Sequence, residues 1–309
     1  RIEEELLAGE LVTQFELVTA AAFVAFERAG VEVAIVEAGL GGRWDATNVF
    51  EDPKTVVLTS VGLDHTQWLG GDVDSIASEK LAVLGAGDVL FVPPGLPESV
   101  MQIARQAAEE AQSRIAVVSS ADGGVPELAA LGGFQRQNFA LAMAAAENVN
   151  EGLSQLQIER AAQTLVAGRM MKLGDQPLTI VDGAHNPQGG EALRDSLREL
   201  EVDGRVIGVI GMLEDKDSES FLRAVVPELD GLVATAPMNP RALKAQALAN
   251  LALGSGMPPE AVTVEPDARA ALIAAQSLCG KDGLVIATGS IHLVGDLLSA
   301  PGERVVSSL

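Results

Sequence analysis

The sequence predicts an α/β protein in two halves, each a parallel sheet wrapped by helices, and three observations predict it. Runs such as TVVLTSVG (55–62), RVIGVIG (205–211) and GLVIATGS (283–290) are apolar and β-branched without polar alternation, the pattern of strands covered on both faces. Beyond residue 178 such runs alternate with helical periodicities so regularly that right-handed crossovers and a parallel sheet follow. Directly after several of these strands come glycines, carboxylates and histidines, at the strand ends where α/β sheets receive their ligands.

The elements follow in order. FELVTAAAFVAFERAG (15–30) has helical periodicity and a stop at Gly30. VEVAIVEAGL (31–40) reads as a strand, TVVLTSVG as a second and DVLFVPPG (88–95) as a third, with a helix over SIASEKLAVL (75–84) between them. Residues 99–113 are helical, RIAVVSS (114–120) a strand and FQRQNFALAMAAAENV (134–149) a helix. Periodicity breaks at VAGRMMKLGDQP (166–177), so the expected division is a first domain over 1–165, a linker over 166–177 and a second domain over 178–309. In the second domain strands at TIVDG, RVIGVIG, GLVATAP, AVTVEP and GLVIATGS alternate with helices at GGEALRDSLREL, SESFLRAVVPEL, ALKAQALANLAL and ARAALIAAQSL.

Composition bounds the function. With 21 Lys and Arg against 43 Asp and Glu the net charge is −22, which disfavours nucleic acid or an anionic membrane as partner. An anionic ligand must then be met by a few placed cations, helix N-termini or a metal. The single cysteine, Cys279, rules out a disulfide framework and fits a reducing, cytoplasmic compartment. No apolar run approaches the length of a membrane span.

The strand ends carry the chemistry. Glu37 is followed by Gly39, Gly41, Gly42, Arg43 and Asp45, and the next strand leads to Asp64 and His65. A carboxylate and an imidazole on neighbouring strand tips suit a divalent cation, with water or phosphate in the remaining positions. Taken singly, Glu37 also reads as a turn cap and His65 as an ordinary loop histidine. The glycines miss the dinucleotide spacing, since Trp44 stands at the third position, which disfavours hydride transfer. Lys80 reads either as a solvated helical lysine or as a group serving the GLDH loop. In IVDGAHNPQGG a strand ends in Asp182, and His185 and Asn186 precede a helix opened by Pro187. That arrangement offers donors and an acid to a nucleotide, and it also makes Asn186 an N-cap. Asp215, Lys216 and Asp217, then Gly289, Ser290 and His292, end two further strands.

Taken together, GLGGRWDATN, TSVGLDHTQWLG, the Glu79–Lys80 pair, FQRQN, AGR, VDGAHNPQG, GMLEDKD and TGSIHLVGD resemble, in order, the folylpolyglutamate synthase/dihydrofolate synthase branch of the Mur ligase superfamily. The resemblance implies a Mur-ligase-type central ATPase domain, here incomplete, followed by a Rossmann-like C-terminal domain, acting as a monomer. It implies ATP-dependent ligation of L-glutamate to a folate, dihydropteroate or tetrahydrofolate, through an acyl phosphate with release of ADP. Carried over by position, Glu37 and His65 match magnesium ligands, and Lys80 matches a lysine that is carbamylated in the superfamily. Asn138, Arg169 and Asp182 match nucleotide-contacting positions. Asn186 opens the helix beside them. His185 is family-typical, and Arg43 and Asp45 lie in the loop expected to position substrate.

Two departures stand out. Ala167 replaces the proline of the usual proline-glycine-arginine junction, and Met171 stands where an acid is expected. The phosphate-binding loop of the G-x-x-G-K-[ST] kind has no counterpart in RIEEELLAGELVTQ (1–14). The chain begins at Arg1, so the expectation is a partial sequence of a longer enzyme, inactive alone. A non-catalytic nucleotide-binding protein of the same fold and a ligase of cell-wall precursors are the competing readings.

Overall fold

The computed structural model describes residues 12–51, 54–150 and 152–299. By internal contacts the chain divides into two compact units, Arg1–Ser119 with Ala144–Val149, and Ser120–Met143 with Asn150–Leu309. The second unit thus begins well before the expected junction at 166–177. Periodicity finds a helix but does not tell which sheet it packs on, and that is what sets the division.

In the first unit β1 (Thr55–Val57), β2 (Val89–Val92) and β3 (Arg114–Val117) form a parallel sheet in that order. Helices α1 (Gln14–Ala29), α2 (Thr66–Leu69), α3 (Val73–Leu81) and α4 (Glu98–Glu110) accompany it. Ile76, Ala77 and Leu81 of α3 and Val100, Met101 and Ala104 of α4 bury one face, against Leu90 and Val92. Asp88 ties the edge of β2 together, accepting from the amides of Lys54 and Gly85, both at 2.8 Å, and pairing with the Lys54 ammonium at 3.0 Å. α1 is capped at both ends, by a Thr13–Glu16 capping box and by Gly30 in the left-handed region.

One expected strand is corrected. Residues 31–40 carry no strand, and Val33, Ile35 and Val36 are exposed, Ile35 at 97%. A strand exists only through its ladder, and among the described residues this run has none. The second expected strand is also shorter than its apolar run. β1 stops at Val57, one further ladder bond joins Leu58 N–H to the Phe91 carbonyl at 3.0 Å, and residues 59–65 form a loop.

In the second unit six strands lie in the order β4-β5-β9-β6-β7-β8: β4 (Met171–Asp175), β5 (Leu178–Val181), β6 (Val206–Ile210), β7 (Gly231–Ala234), β8 (Val262–Val264) and β9 (Leu284–Thr288). All pairings are parallel except β4 with β5. Residues 171–175, expected to be linker, are therefore an edge strand. Side chains alternate strictly across this sheet. Ile180, Ile210, Leu232, Ala234, Leu284 and Ile286 face helices α7 (Pro187–Glu199), α8 (Ser218–Val225) and α9 (Ala245–Gly254). Val181, Ile207, Val209, Val233, Val285 and Ala287 face α10 (Ala268–Cys279) and α11 (Ile291–Leu298). Period-2 alternation between two apolar layers explains why these strands read as unbroken apolar runs. Helices α5 (Gly133–Val149) and α6 (Gln155–Ala162) precede the sheet. The chain advances from β5 through β6 and β7 to β8, then returns through α10 to place β9 between β5 and β6, so the adjacent strands β5 and β9 are followed by helices on opposite faces. That is the switch point at which doubly wound sheets bind ligands.

Candidate active site

The first unit contributes the GLGGRWDATN loop and the loop around His65. The first of these is held on the C-terminal turn of α3. Gly41 takes a left-handed φ of 66°, and a Cβ on Gly42 would lie 2.7 Å from the Lys80 carbonyl oxygen and 2.8 Å from that of Glu79. Only glycine allows this approach, which lets the Arg43 amide donate to the Glu79 carbonyl at 3.1 Å. The Arg43 guanidinium is exposed and pairs with the Glu79 carboxylate at 3.0 Å. Arg43 is thus brought beside the Glu79–Lys80 pair.

Asp45 is taken up by its own loop. Only 8% exposed, it accepts from the Leu40 amide at 2.8 Å and from the Thr47 amide at 2.9 Å, and from the Thr47 hydroxyl. Burial raises the Asp45 carboxyl, but the bonds from the Thr47 side chain and the amides of Leu40, Thr47 and Gly39 outweigh it and hold it below the ordinary carboxylate value. The carboxylate brackets the loop from inside, and Arg43 is the exposed member of the pair.

Glu37 and His65 are both exposed. His65 takes a left-handed φ of 52° at the start of α2, its amide donating to Asp64 Oδ1 at 2.9 Å. No group of three or more His, Cys, Asp or Glu is arranged to hold a metal among the described residues. Glu37 and His65 therefore offer at most a carboxylate and an imidazole, a set suited to magnesium or manganese whose other positions go to water or phosphate.

The second unit builds its site at the tip of β5. Asp182, 4% exposed, accepts from the Met170 amide at 2.9 Å and from the Ala184 amide at 2.8 Å. Burial pushes its carboxyl up, against the opposite pull of those two amides and of the charges on Arg169 and His185. His185 Nδ1 lies 2.9 Å from the Gly183 carbonyl, a contact that fixes the ring. Asn186 caps α7 by accepting from the Gly189 amide at 2.8 Å, with Pro187 at the first helical position, so the cap reading holds and the positive end of α7 lies just after the β5 tip. Arg169 is exposed, and Asn138 is exposed on α5 with its amide 3.4 Å from Gln135 Oε1.

The neighbouring tips complete this end of the sheet. Asp217 caps α8, Ser290 caps α11, and Asp215 pairs with Arg241 at 3.4 Å. The His292 ring lies 3.3 Å from Asn239 Nδ2. Asn239 and Arg241, in the loop after β7, escaped the sequence reading although the same strand-end rule points to TAPMNPRAL. Met170, left-handed at φ 45° and buried, carried no sequence signal.

Residues 168–291 match the family of the Mur ligase, glutamate ligase domain. Over 340 aligned residues the chain is 34% identical to the dihydrofolate synthase/folylpolyglutamate synthase of Mycobacterium tuberculosis, covering 97% of this chain and 67% of that protein. The chain belongs to the dihydrofolate synthase/folylpolyglutamate synthase family. This is a family of ATP-dependent, ADP-forming ligases. Crystal structures of Mycobacterium tuberculosis folylpolyglutamate synthase complexed with ADP and AMPPCP superpose with a TM-score of 0.86 at 29% identity, over 96% of this chain and 74% of that one. A bifunctional folylpolyglutamate synthase/dihydrofolate synthase with Mn, AMPPNP and L-glutamate bound gives a TM-score of 0.80 at 29% identity, over 94% and 72%. No described helix of this chain is long and apolar enough to cross a membrane.

Proposed function

We propose that this synthase family member carries the metal-binding and nucleotide-binding residues of an ATP-dependent ligase that joins L-glutamate to a folate, either dihydropteroate or tetrahydrofolate. The observation that carries the reading is the β5 tip, where Arg169, His185 and the N-terminus of α7 lie beside a buried carboxylate at the switch point of the sheet.

The reaction has two steps. A folate carboxylate oxygen attacks the terminal phosphorus of ATP, forming an acyl phosphate and releasing ADP. The glutamate amine then attacks the acyl carbon, phosphate leaves, and the amine proton is lost as the amide forms. Glu37 and His65 would hold magnesium, which would neutralise charge on the phosphoryl oxygens. Arg169 and the positive end of the α7 dipole meet anionic nucleotide oxygens. Asn138 and Asn186 serve the nucleotide, the latter by fixing the start of α7. His185, its Nδ1 on the Gly183 carbonyl, stands beside Asp182 and Arg169 as a further donor for the nucleotide. Arg43 meets a substrate carboxylate, and Asp45 positions it by bracketing the loop. Lys80, once carbamylated, becomes an anion able to support the metal. Turnover also needs a glycine-lysine phosphate loop, which is not among the 309 residues. The same reading implies a cytoplasmic protein.

The test is folate-dependent and glutamate-dependent ADP release from Mg-ATP, measured for residues 1–309 and for a chimera preceded by the loop-bearing segment of the Mycobacterium tuberculosis relative. Release by the chimera alone is expected. No release with either folate sinks the ligase reading and, where ADP still binds, favours a nucleotide-binding protein without phosphoryl transfer. Turnover by residues 1–309 alone sinks the requirement for the loop. Mass spectrometry that finds Lys80 unmodified in active enzyme removes carbamylation.

A further inference from the structure

Of Asn138, Arg169 and Asp182, the residues that match nucleotide-contacting positions, only Asn138 stands within a helix. The direction in which its side chain leaves the backbone therefore depends on how α5 is rotated about its own axis.

The first turn of α5 lies against the last turn of α7. A Cβ on Gly132, left-handed at φ 93°, would lie 2.8 Å from Ser196 Oγ, and one on Gly133 would collide with Glu199 Oε1. Ser196 and Glu199 are three residues apart on α7 and so share a face, and the two successive glycines let α5 begin directly upon it. Arg136 Nη2 then donates to both Glu199 oxygens, at 3.1 and 3.2 Å. Leu131 and Phe134 pack on the core that Leu193 and Leu197 of α7 line, and Gln137 Oε1 accepts from the Ser120 amide at 3.1 Å. Several contacts within one turn thus hold this end of the helix.

Asn138, two residues beyond Arg136, stands about 200° around the helix from it, on the side away from α7. The burial pattern agrees, with Ala140 and Leu141 buried and Asn138 and Ala142 exposed. The Arg136 and Glu199 side chains are themselves 51% and 43% exposed, and a pair so wetted adds little to stability. Its effect is on direction. We infer that Arg136 and Glu199 are positioning residues for the nucleotide, their bridge over the two glycines setting the rotation of α5 that turns Asn138 outward. The inference rests on the nucleotide reading of Asn138 for its ligand, whereas the bridge is a property of the chain alone.

Two substitutions test this. Glu199→Ala removes the bridge and also a negative charge. A field effect alone would make that variant bind the anionic nucleotide more tightly, whereas an α5 released from α7 binds it more weakly. Calorimetry of residues 1–309 with Mg-ADP should find Asn138→Ala about fivefold weaker, the scale of one hydrogen bond. Glu199→Ala should be weaker by about twofold to fivefold, with no further loss once Asn138 is alanine. Gly133 opens α5 and has no left-handed φ, so Gly133→Ala suits the backbone and favours the helix, but its methyl displaces the Glu199 carboxylate. That variant should unfold at no lower denaturant concentration and still bind Mg-ADP more weakly, a split that a purely structural contact does not produce. The side-chain amide resonances of Asn138 need no ligand and should move in both variants. Unchanged or tighter binding by Glu199→Ala, a loss that adds to that of Asn138→Ala, or unmoved Asn138 resonances would each overturn the inference. If no form of the chain binds Mg-ADP, the nucleotide reading of Asn138 fails while the resonances still decide the bridge.

Discussion

Two aspartates, Asp45 and Asp182, follow apolar runs that the sequence marks as strand ends, and both turn inward to bind backbone amides, yet their carboxyls shift in opposite directions. At Asp45 four bonds outweigh burial, so the folded value is depressed. Its stabilising contribution is present at neutral pH and is lost as pH falls through that depressed value. At Asp182 burial wins, so the folded value is raised. The folded state then holds its proton longer than the unfolded state, and stability falls as pH rises from the ordinary carboxylate value through the raised one. Amide resonances should follow both. Leu40 N–H should titrate below the ordinary carboxylate range and Ala184 N–H above it. Coincident midpoints would refute the assignment. Replacing Asp45 with alanine leaves the amides of Leu40 and Thr47 without their acceptor and should destabilise the first unit by about 1–3 kcal/mol in denaturant titration. Both aspartates were legible as candidates because they follow runs that read as strands, although only the run before Asp182 is one. That their oxygens are taken up by amides was not, since the loop must close before a carboxylate can find Leu40 or Met170.

Elements differ in how much of their cause is local. The start of α7 was readable because its signal, asparagine followed by proline, lies within the segment itself, and Asn186→Ala should cost about 1 kcal/mol by leaving the Gly189 amide unbonded. Unchanged stability in that variant would show the cap to be idle. Five of the six strands of the second sheet were readable for a related reason, since burial on both faces leaves an apolar run in the sequence whatever the partner is. That same pattern misled at residues 31–40, because it records what a segment is built to be covered by and not whether a ladder is there. At residues 171–175 the failure is the converse. MKLGD has too little apolar character to signal a strand, and its pairing with β5 comes from the chain doubling back, as an edge needs only one ladder. Gly42 belongs at this scale too, because it sets how closely the GLGG loop lies on α3. Gly42→Ala should push the loop away from the carbonyls of Glu79 and Lys80, at a cost of about 1–3 kcal/mol, and should break the Arg43 amide bond. Hydrogen exchange at the Arg43 amide checks this, and retained protection would count against it.

At the scale of the whole molecule the two units are unequally finished. The second has apolar layers on both faces of its sheet, whereas the first exposes Val33, Ile35, Val36, Trp44, Val49 and Phe50, Ile35 at 97% and Trp44 at 89%. A set of apolar side chains this exposed tends to find a partner, even another copy of itself. The net charge of −22 opposes self-association at low salt, and added salt screens that repulsion without weakening apolar contact. Self-association of residues 1–309 should therefore rise with ionic strength, the reverse of association driven by opposite charges. Ile35→Lys should suppress it with little change in stability, since a side chain so fully exposed contributes almost no packing. Sedimentation at low and high salt checks both statements together. A sedimentation profile unaffected by salt and by the Ile35 substitution would mean that these side chains do not drive association, and an association that salt weakens would place its cause in charge instead.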